Sequence, residues 1–196
     1  SLFSYLVGDE TTGRAVVVDP QRDVAQYLAD AEAHDLHVER VIETHVHADH
    51  LSAAALIRER TGAKVGIGRE VESVRAVFGS MLDVSDLSDA DFDRLFADGD
   101  SITFGALVVE VMATPGHTPH HTAYVLEGNG AAIAVFTGGS LLIGTVGRPD
   151  LVEPRLTERL ARAQHASAHR LAAELPDDTA VLPTHGFGSF CSSSQA

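Results

Sequence analysis

The sequence predicts an α+β domain in which two layers of β-sheet carry helices on their outer faces. Three observations support this fold class. Strands alternate with helices at first, then strands follow one another, and a long helix and a short strand come last. The length of 196 residues can bury a sizeable core. The hydrophobic fraction of 44% and charged fraction of 21% are those of a globular protein. We therefore interpret residues 1–196 as one domain.

The first half of the chain alternates strands with helices. Short β-branched runs bounded by turn residues such as Asp19 and Pro20 predict strands. Apolar residues at helical spacing predict helices, and Gly62 marks the end of the second helix. The predicted elements are a strand over 15–18, a helix over 24–34, a strand over 38–42, a helix over 50–60 and a strand over 64–67.

The second half begins with an acidic segment of a different character. Residues 70–98 are helix-like, and residues 88–91 resemble a capping box, so we interpret this segment as an inserted helical excursion. Apolar runs then predict strands again. The remaining elements are strands over 101–104, 107–112, 122–126 and 131–136, a helix over 156–174 and a strand over 180–182.

Composition and charge exclude several classes of protein. The net charge of −14 argues against a nucleic-acid partner, because phosphate binding needs clustered Lys and Arg. No apolar stretch approaches the roughly 18 residues of a membrane span, and we expect no membrane partner. The N-terminus lacks the features of a signal peptide. The single cysteine, Cys191, fits a reducing compartment and predicts a cytoplasmic protein.

Histidine is the anomaly in the composition, because several of the 11 histidines fall in tight groups. The first group is residues 44–50 (THVHADH), directly after a predicted buried strand. His45 and His47 are two apart, so in extended backbone they project to the same side and can bind one metal ion. Asp49 and His50 can then face a second, adjacent position. Imidazole suits zinc, iron and manganese.

Two more histidine groups follow predicted strands. His117 sits on a Pro/Gly turn within residues 113–121, and His185 follows the last predicted strand. His120 and His121 are the weaker candidates, because adjacent turn histidines are more often exposed than metal-bound. Three separate strand ends that carry histidine predict a metal centre.

These motifs resemble those of the metallo-β-lactamase superfamily. Residues 45–50 match its HxHxDH signature, residues 114–118 (TPGHT) its second metal motif, and residues 183–186 (PTHG) its last. The resemblance implies an αββα sandwich of two mixed sheets flanked by helices, with the metal site at one edge. The implied metal ligands are His45, His47, His117 and His185, and the implied catalytic residues are Asp49 and His50.

Further stretches narrow the resemblance to one branch. Residues 141–151 look like the persulfide dioxygenase and glyoxalase II-like branch. Residues 136–142 and 185–191 resemble bacterial proteins in which this domain is fused to rhodanese. The resemblance implies a small thiol or persulfide substrate such as glutathione persulfide. It also implies a rhodanese domain or protein as partner, with a further region after residue 196, and it leaves a homodimer open.

The sequence departs from the family at one metal-binding position. The third residue of the stretch matching 137–140 is normally an Asp, which completes a two-His, one-carboxylate iron site in persulfide dioxygenases; here it is Gly139. The resemblance then implies that His47 fills the gap beside His45 and His117. Loss of the bridging carboxylate argues against a dinuclear centre. We expect one metal ion, with Fe(II) favoured and Zn(II) as the alternative.

Three functions fit this pattern. The first is a persulfide dioxygenase-like iron enzyme that produces sulfite and a thiol. The second is a thioester hydrolase in which metal-bound hydroxide, oriented by Asp49, attacks the carbonyl. The third, favoured by Gly139, is a non-catalytic scaffold for a sulfurtransferase. Arg148 either orients an anionic substrate or pairs with Asp150, and Cys191 is either a persulfide carrier or a small structural residue.

Overall fold

The first of two β-sheets holds the N-terminal half of the chain. The computed structural model describes residues 2–69, 71, 92–186 and 188–193. Its first sheet contains, in spatial order, β1 (Tyr5–Asp9), β2 (Arg14–Val18), β3 (His37–Glu43), β4 (Lys64–Gly68) and β5 (Arg94–Phe96). The β1–β2 pair is antiparallel and the other pairs are parallel, so the sheet is mixed.

The second sheet is also mixed and five-stranded. It contains, in spatial order, β10 (Ala180–Pro183), β9 (Ala131–Gly138), β8 (Thr122–Gly128), β7 (Leu107–Ala113) and β6 (Ser101–Phe104). The strands β6 to β9 form an antiparallel meander, and β10 adds to β9 in parallel.

Among the residues that the structure describes, three α-helices cover the outer faces of the two sheets. They are α1 (Val24–Ala33), α2 (Ala54–Thr61) and α3 (Thr157–Glu174), and a 3-10 turn (Pro154–Leu156) precedes α3. Tyr27 of α1 and Ile57 of α2 pack on the first sheet, and Leu171 of α3 packs on the second. Phe104, Tyr124 and other buried side chains fill the space between the sheets. The predicted αββα sandwich is therefore confirmed.

The topology brings several strand ends to one edge of the sandwich. Because β7 and β9 both pair antiparallel with β8, they point the same way, and β10 runs parallel to β9. In the first sheet, β2 and β3 are parallel. The loops after β2, β3, β7, β9 and β10 hold Asp19, residues 44–50, His117, Gly139 and His185. The fold thus collects residues that are far apart in sequence.

The second helix begins later than its sequence pattern predicts. The structure starts α2 at Ala54, whereas the pattern predicted a helix from residue 50. The residues just before Ala54 form other hydrogen bonds. The Ser52 hydroxyl donates to Glu43 Oε1 and accepts from the backbone N–H of Ala54. The predicted end is correct, because Gly62 terminates the helix in the left-handed conformation.

The predicted helical excursion over 70–98 is wrong at its C-terminal end. Residues 94–96 form strand β5, which pairs with β4, and most of the segment before them lies outside the described residues. The pairing is regular, with Arg94 opposite Gly66, Leu95 opposite Ile67 and Phe96 opposite Gly68. Phe96 packs edge-on against the Tyr124 ring, with centroids 6.2 Å apart. This tertiary contact outweighs the local helical pattern.

No helix among the described residues is both long enough and apolar enough to cross a lipid bilayer.

We predict that Phe96→Ala lowers the free energy of unfolding by about 3–5 kcal/mol, because it opens a cavity between the sheets. Phe190→Ala is the matched control, since Phe190 is 59% exposed and Phe96 is 2% exposed. Urea unfolding of both variants measures the difference. Equal losses would contradict the placement of Phe96 in the core.

Candidate metal centre

His45 is oriented by a chain of hydrogen bonds that begins at Asp19. The Thr44 hydroxyl donates to Asp19 Oδ2 at 2.7 Å, so its oxygen can only accept from His45 Nδ1, which lies 2.9 Å away. His45 therefore carries its proton on Nδ1 and presents a lone pair on Nε2. Burial, followed by the proximity of His47, lowers the pKa of His45 well below 6.5. The ring is neutral at pH 7, as metal binding requires.

His117 is held in the same tautomer by the backbone of the 146–149 segment. Its Nδ1 donates to the carbonyl oxygen of Arg148 at 2.9 Å, which leaves Nε2 as the nitrogen free to bind a ligand. The ring is 1% exposed. Burial lowers the pKa of His117 to about 4, so this imidazole is also neutral at pH 7.

His185 lies between His45 and Asp49. Its Nε2 is 3.3 Å from His45 Nε2, and its Nδ1 is 3.2 Å from Asp49 Oδ2. If neutral His185 carries its proton on Nδ1, two Nε2 lone pairs oppose each other. If the proton is on Nε2, the Nδ1 lone pair opposes the carboxylate. A cation shared by the Nε2 atoms removes this conflict and lets Nδ1–H point to Asp49.

The three imidazoles together form a candidate metal site. One ring nitrogen from each of His45, His117 and His185 lies within 4.8 Å of the other two, and all three side chains are buried. The hydrogen bonds above leave Nε2 free on His45 and His117. Three nearby imidazole donors match the ligand set that zinc and iron accept in proteins. The residues present therefore fit a bound divalent ion.

His47, which the sequence placed beside His45 and His117, faces two carboxylates in the structure. Its Nε2 is 3.2 Å from Asp19 Oδ1 and 3.5 Å from Glu43 Oε2. Burial alone would lower the pKa of His47, but the negative charges of Asp19 and, to a smaller extent, Glu43 raise it to about 10. His47 is thus a buried cation. The geometry groups His185, and not His47, with the other two imidazoles.

Asp49 connects the remaining polar groups of the site. Its Oδ1 is 3.1 Å from His50 Nδ1, and its Oδ2 accepts from the Cys191 thiol at 3.5 Å and faces His185 Nδ1. Burial would raise the pKa of Asp49, but the hydrogen bonds from His185 and His50 hold it below its usual range. Asp49 is therefore a carboxylate at neutral pH. One nitrogen or oxygen from each of Asp49, His50 and His47 also lies within 4.8 Å of the others.

Cys191 is buried beside Asp49. Burial, and then the negative charge of Asp49, raise the pKa of its thiol to about 12. The thiol is 1% exposed and stays protonated at pH 7, so it lacks the thiolate form that a sulfur carrier needs. Of the two interpretations of Cys191, these observations favour the structural one.

The prediction that His120 and His121 are exposed turn residues is wrong. They are 2% and 1% exposed. His120 Nε2 accepts from the backbone N–H of Val46 at 2.9 Å and so holds the 44–50 loop. His121 Nε2 accepts from the N–H of Gly139, and its Nδ1 donates to Thr114 Oγ1. Their bonds to distant loops account for the burial.

Gly139 lies against the ring of His117. A Cβ built at position 139 would be 2.8 Å from His117 Nε2 and closer still to its Cδ2. The imidazole therefore occupies the space into which a side chain at 139 would extend. The ring of His117 thus fills the space that the side chain of the family's Asp would need.

Arg148 forms an ion pair with Asp150, which is one of the two roles that we considered for it from the sequence. Its guanidinium donates two hydrogen bonds to the carboxylate of Asp150, at 2.7 and 2.6 Å, and its Cζ lies 5.2 Å from the centroid of the Phe190 ring. The role that sequence reasoning missed is that of its backbone carbonyl, which orients His117.

The chain belongs to the metallo-beta-lactamase superfamily, whose profile matches residues 3–185. This agrees with the two-sheet sandwich and with the histidines at its edge. The resemblance stated from the motifs is thereby confirmed at the level of the superfamily. The fusion to rhodanese stays a prediction.

Particular relatives refine this assignment. A probable metallo-hydrolase of Burkholderia pseudomallei (strain 1710b) is 37% identical over 165 residues, which are 74% of this chain and 56% of the relative. The human mitochondrial persulfide dioxygenase ETHE1 is 32% identical over 189 residues, 96% of this chain and 65% of the relative. The chain thus spans roughly half to two thirds of these two relatives.

A solved structure is similar over the whole chain. The crystal structure of ETHE1 from Myxococcus xanthus aligns with a TM-score of 0.77 and 33% identity, covering 100% of this chain and 75% of that one. The chain is therefore similar to an ETHE1 protein both in the sequence comparison and in the structure comparison.

We predict that Gly139→Ala weakens metal binding and lowers the free energy of unfolding by about 1–3 kcal/mol, because the new methyl group displaces the His117 ring. Gly128→Ala is the control, since a Cβ there meets its nearest atom at 3.4 Å. Thermal melts with and without added metal measure both effects. The packing argument fails if the two variants behave alike.

We predict that the stability of the metal-free protein falls as the pH rises from about 7 to 10. The folded-state pKa of His47, about 10, lies above its unfolded value of about 6.5. Its contribution is therefore complete below the unfolded value and is lost as the pH rises through the folded value. Urea unfolding should show a loss larger than about 1 kcal/mol relative to His47→Gln. Parallel pH curves for the two proteins would contradict the buried ion pair.

Proposed function

We propose that this domain holds one metal ion on His45, His117 and His185. The observation that carries the proposal is the convergence of three buried imidazoles, two of which have Nε2 freed by hydrogen bonds at Nδ1. In the family that this chain resembles, two histidines and one carboxylate bind the metal. In this chain, three imidazole nitrogens would bind it. Such a set accepts Fe(II), which we favour, and Zn(II).

The reaction we propose is oxidation of a small-thiol persulfide such as glutathione persulfide. Support comes from the human persulfide dioxygenase ETHE1, which aligns with 96% of this chain, and from the structure of ETHE1 from Myxococcus xanthus, which aligns with 100% of it. In the overall reaction, RSSH, O₂ and H₂O give RSH, sulfite and two protons, so the outer sulfur is oxidised and dioxygen is reduced. A bound Fe(II) would supply the redox and Lewis-acid chemistry.

The residues of the chain contribute orientation and proton handling. The Thr44 hydroxyl and the Arg148 carbonyl hold the rings of His45 and His117. Asp49 holds His185 through Nδ1 and lies beside His50, and the pair can accept the protons that the reaction releases. Acceptance of these protons is the catalytic role that we propose for Asp49 and His50. Arg148 is committed to Asp150, so we assign it no substrate contact.

A hydrolase is the second candidate, and the observation that favours it is the probable metallo-hydrolase relative at 37% identity. A thioester is the substrate class that we expect in that case. Asp49 is a carboxylate at neutral pH and can orient an attacking water by accepting a hydrogen bond from it. The scaffold alternative is less favoured, because hydrogen bonds that fix metal-binding tautomers have no use in a domain without metal.

The proposal extends to partners and location. Because residues 136–142 and 185–191 resemble bacterial proteins in which this domain is fused to rhodanese, we propose that it works beside a rhodanese domain or protein that handles the same sulfane sulfur. A cytoplasmic location and a homodimer stay predictions from the sequence.

The ligand assignment is tested by comparing two histidines. We predict that His185→Ala weakens metal binding by more than about 100-fold, because loss of a direct ligand exceeds the roughly 10–100-fold cost of losing an outer partner. His47→Gln should stay within that smaller range. Metal titration of chelator-treated protein measures both. A larger loss in His47→Gln would return His47 to the ligand set.

The activity is tested with protein purified without oxygen from iron-supplemented cells. We expect oxygen consumption and sulfite release with glutathione persulfide, and their loss in His45→Ala. Iron-loaded protein that consumes no oxygen but cleaves thioesters would replace the dioxygenase with the hydrolase. Absence of bound metal after iron, zinc and manganese supplementation would leave the scaffold interpretation in front.

A further inference from the structure

A second pair of histidines lies on the outer surface of α3, apart from the central site. His165 and His169 are four residues apart, so they are neighbours on one face of the helix. Both are exposed, their ring centroids are 4.3 Å apart, and their Nε2 atoms are separated by 3.1 Å. The opposite face of the helix points inward, where Ser167 Oγ donates to the Pro115 carbonyl.

The separation of the two nitrogens has the dimensions of a chelate. Metal–imidazole bonds are about 2.0–2.1 Å long, so two nitrogens 3.1 Å apart subtend an angle of roughly 100° at a shared ion. This value lies between the right angle of square-planar or octahedral coordination and the tetrahedral angle. The distance between the two nitrogens is therefore already that of a chelate.

The alternative is a simple N–H···N hydrogen bond between the two rings. Between exposed side chains such a bond contributes little to stability, because water competes for both partners. Each neutral ring can instead carry its proton on Nδ1 and present an Nε2 lone pair. The nearby Arg162 is paired with Glu158 at 2.7 Å, so its charge is largely neutralised. The net charge of −14 also favours a cation at the surface.

The pair borders a groove between α3 and the segment that holds His117. His165 and His169 line a cavity of about 250 Å³ together with Val146, Pro149 and Ala168. The groove leaves the outward side of both rings open to solvent, so water can complete the coordination of an ion.

We propose that His165 and His169 bind one divalent ion of the copper, nickel and zinc class at the surface of α3. The donor set of two imidazoles with water suits these ions and not Mg²⁺ or Ca²⁺, which prefer oxygen. The site is separate from the central imidazoles. Zinc or nickel analysis of this protein therefore counts one ion more than the catalytic centre holds.

The test uses Ni²⁺ and conservative variants of exposed histidines. Equilibrium dialysis of chelator-treated, untagged full chain gives the number of ions bound by the parent and by His165→Gln, His169→Gln and His37→Gln. His37 is exposed and lies on β3, so its variant is the matched control. We expect each of the first two variants to lose one Ni²⁺ per chain and the control to lose none.

Variants of the two sites separate this inference from the proposed function. His185→Ala should lose the central ion and keep the surface ion, which His169→Gln loses. Thermal melts should show Ni²⁺ stabilising the parent more than His169→Gln. Equal Ni²⁺ binding by the parent, His165→Gln and His169→Gln would overturn the inference, whatever happens at the central site.

Discussion

The buried carboxylate of Asp19 is the interaction on which the rest of the site depends. It is 0% exposed, and it sits at the end of β2 in a left-handed conformation, with φ of 47°. Its Oδ1 accepts from the Thr44 backbone N–H at 2.7 Å, and its Oδ2 accepts from the hydroxyls of Thr44 and Thr184. One carboxylate therefore joins the residues that immediately precede His45 and His185, across the two sheets.

This arrangement explains why the imidazoles are preorganised. A buried carboxylate is costly unless it is paired and hydrogen-bonded, and His47 provides the opposite charge at 3.2 Å. Burial would raise the pKa of Asp19, but His47 and the hydrogen bonds lower it below its usual range. His47 thus stabilises the anion that orients His45. The same histidine motif thus supplies His45, a proposed metal ligand, and His47, the counter-ion of the carboxylate that orients it.

The sequence predicted the fold and most of the residues at the site, for reasons that are local. Strand runs, helical spacing and the histidines at strand ends are all visible within short windows, and they located His45, His117 and His185. The roles of individual rings depend on contacts between distant segments. His121 accepts a hydrogen bond from Gly139, and the partner of His47 is Asp19 in the loop after β2. The Asp-Pro turn after a buried strand was the available signal for Asp19.

Gly139 illustrates what a comparison of sequence motifs can predict and what it cannot. The sequence identified the missing carboxylate, but only the packing shows that the ring of His117 fills the adjacent space. The end of the 70–98 segment was wrong for a similar reason, since Phe96 takes its conformation from Tyr124 and the β4 strand. In both cases, the residue that determines the local conformation is too distant in sequence for a local pattern to reveal it.

The most direct measurement of the central claim is a crystal structure of the iron-loaded protein with anomalous scattering recorded at the iron edge. The account predicts one strong anomalous peak at bonding distance, about 2.0–2.2 Å, from nitrogens of His45, His117 and His185. It also predicts that His47 stays paired with Asp19. A peak bound by His47, Asp49 and His50, with His185 outside bonding distance, would contradict it.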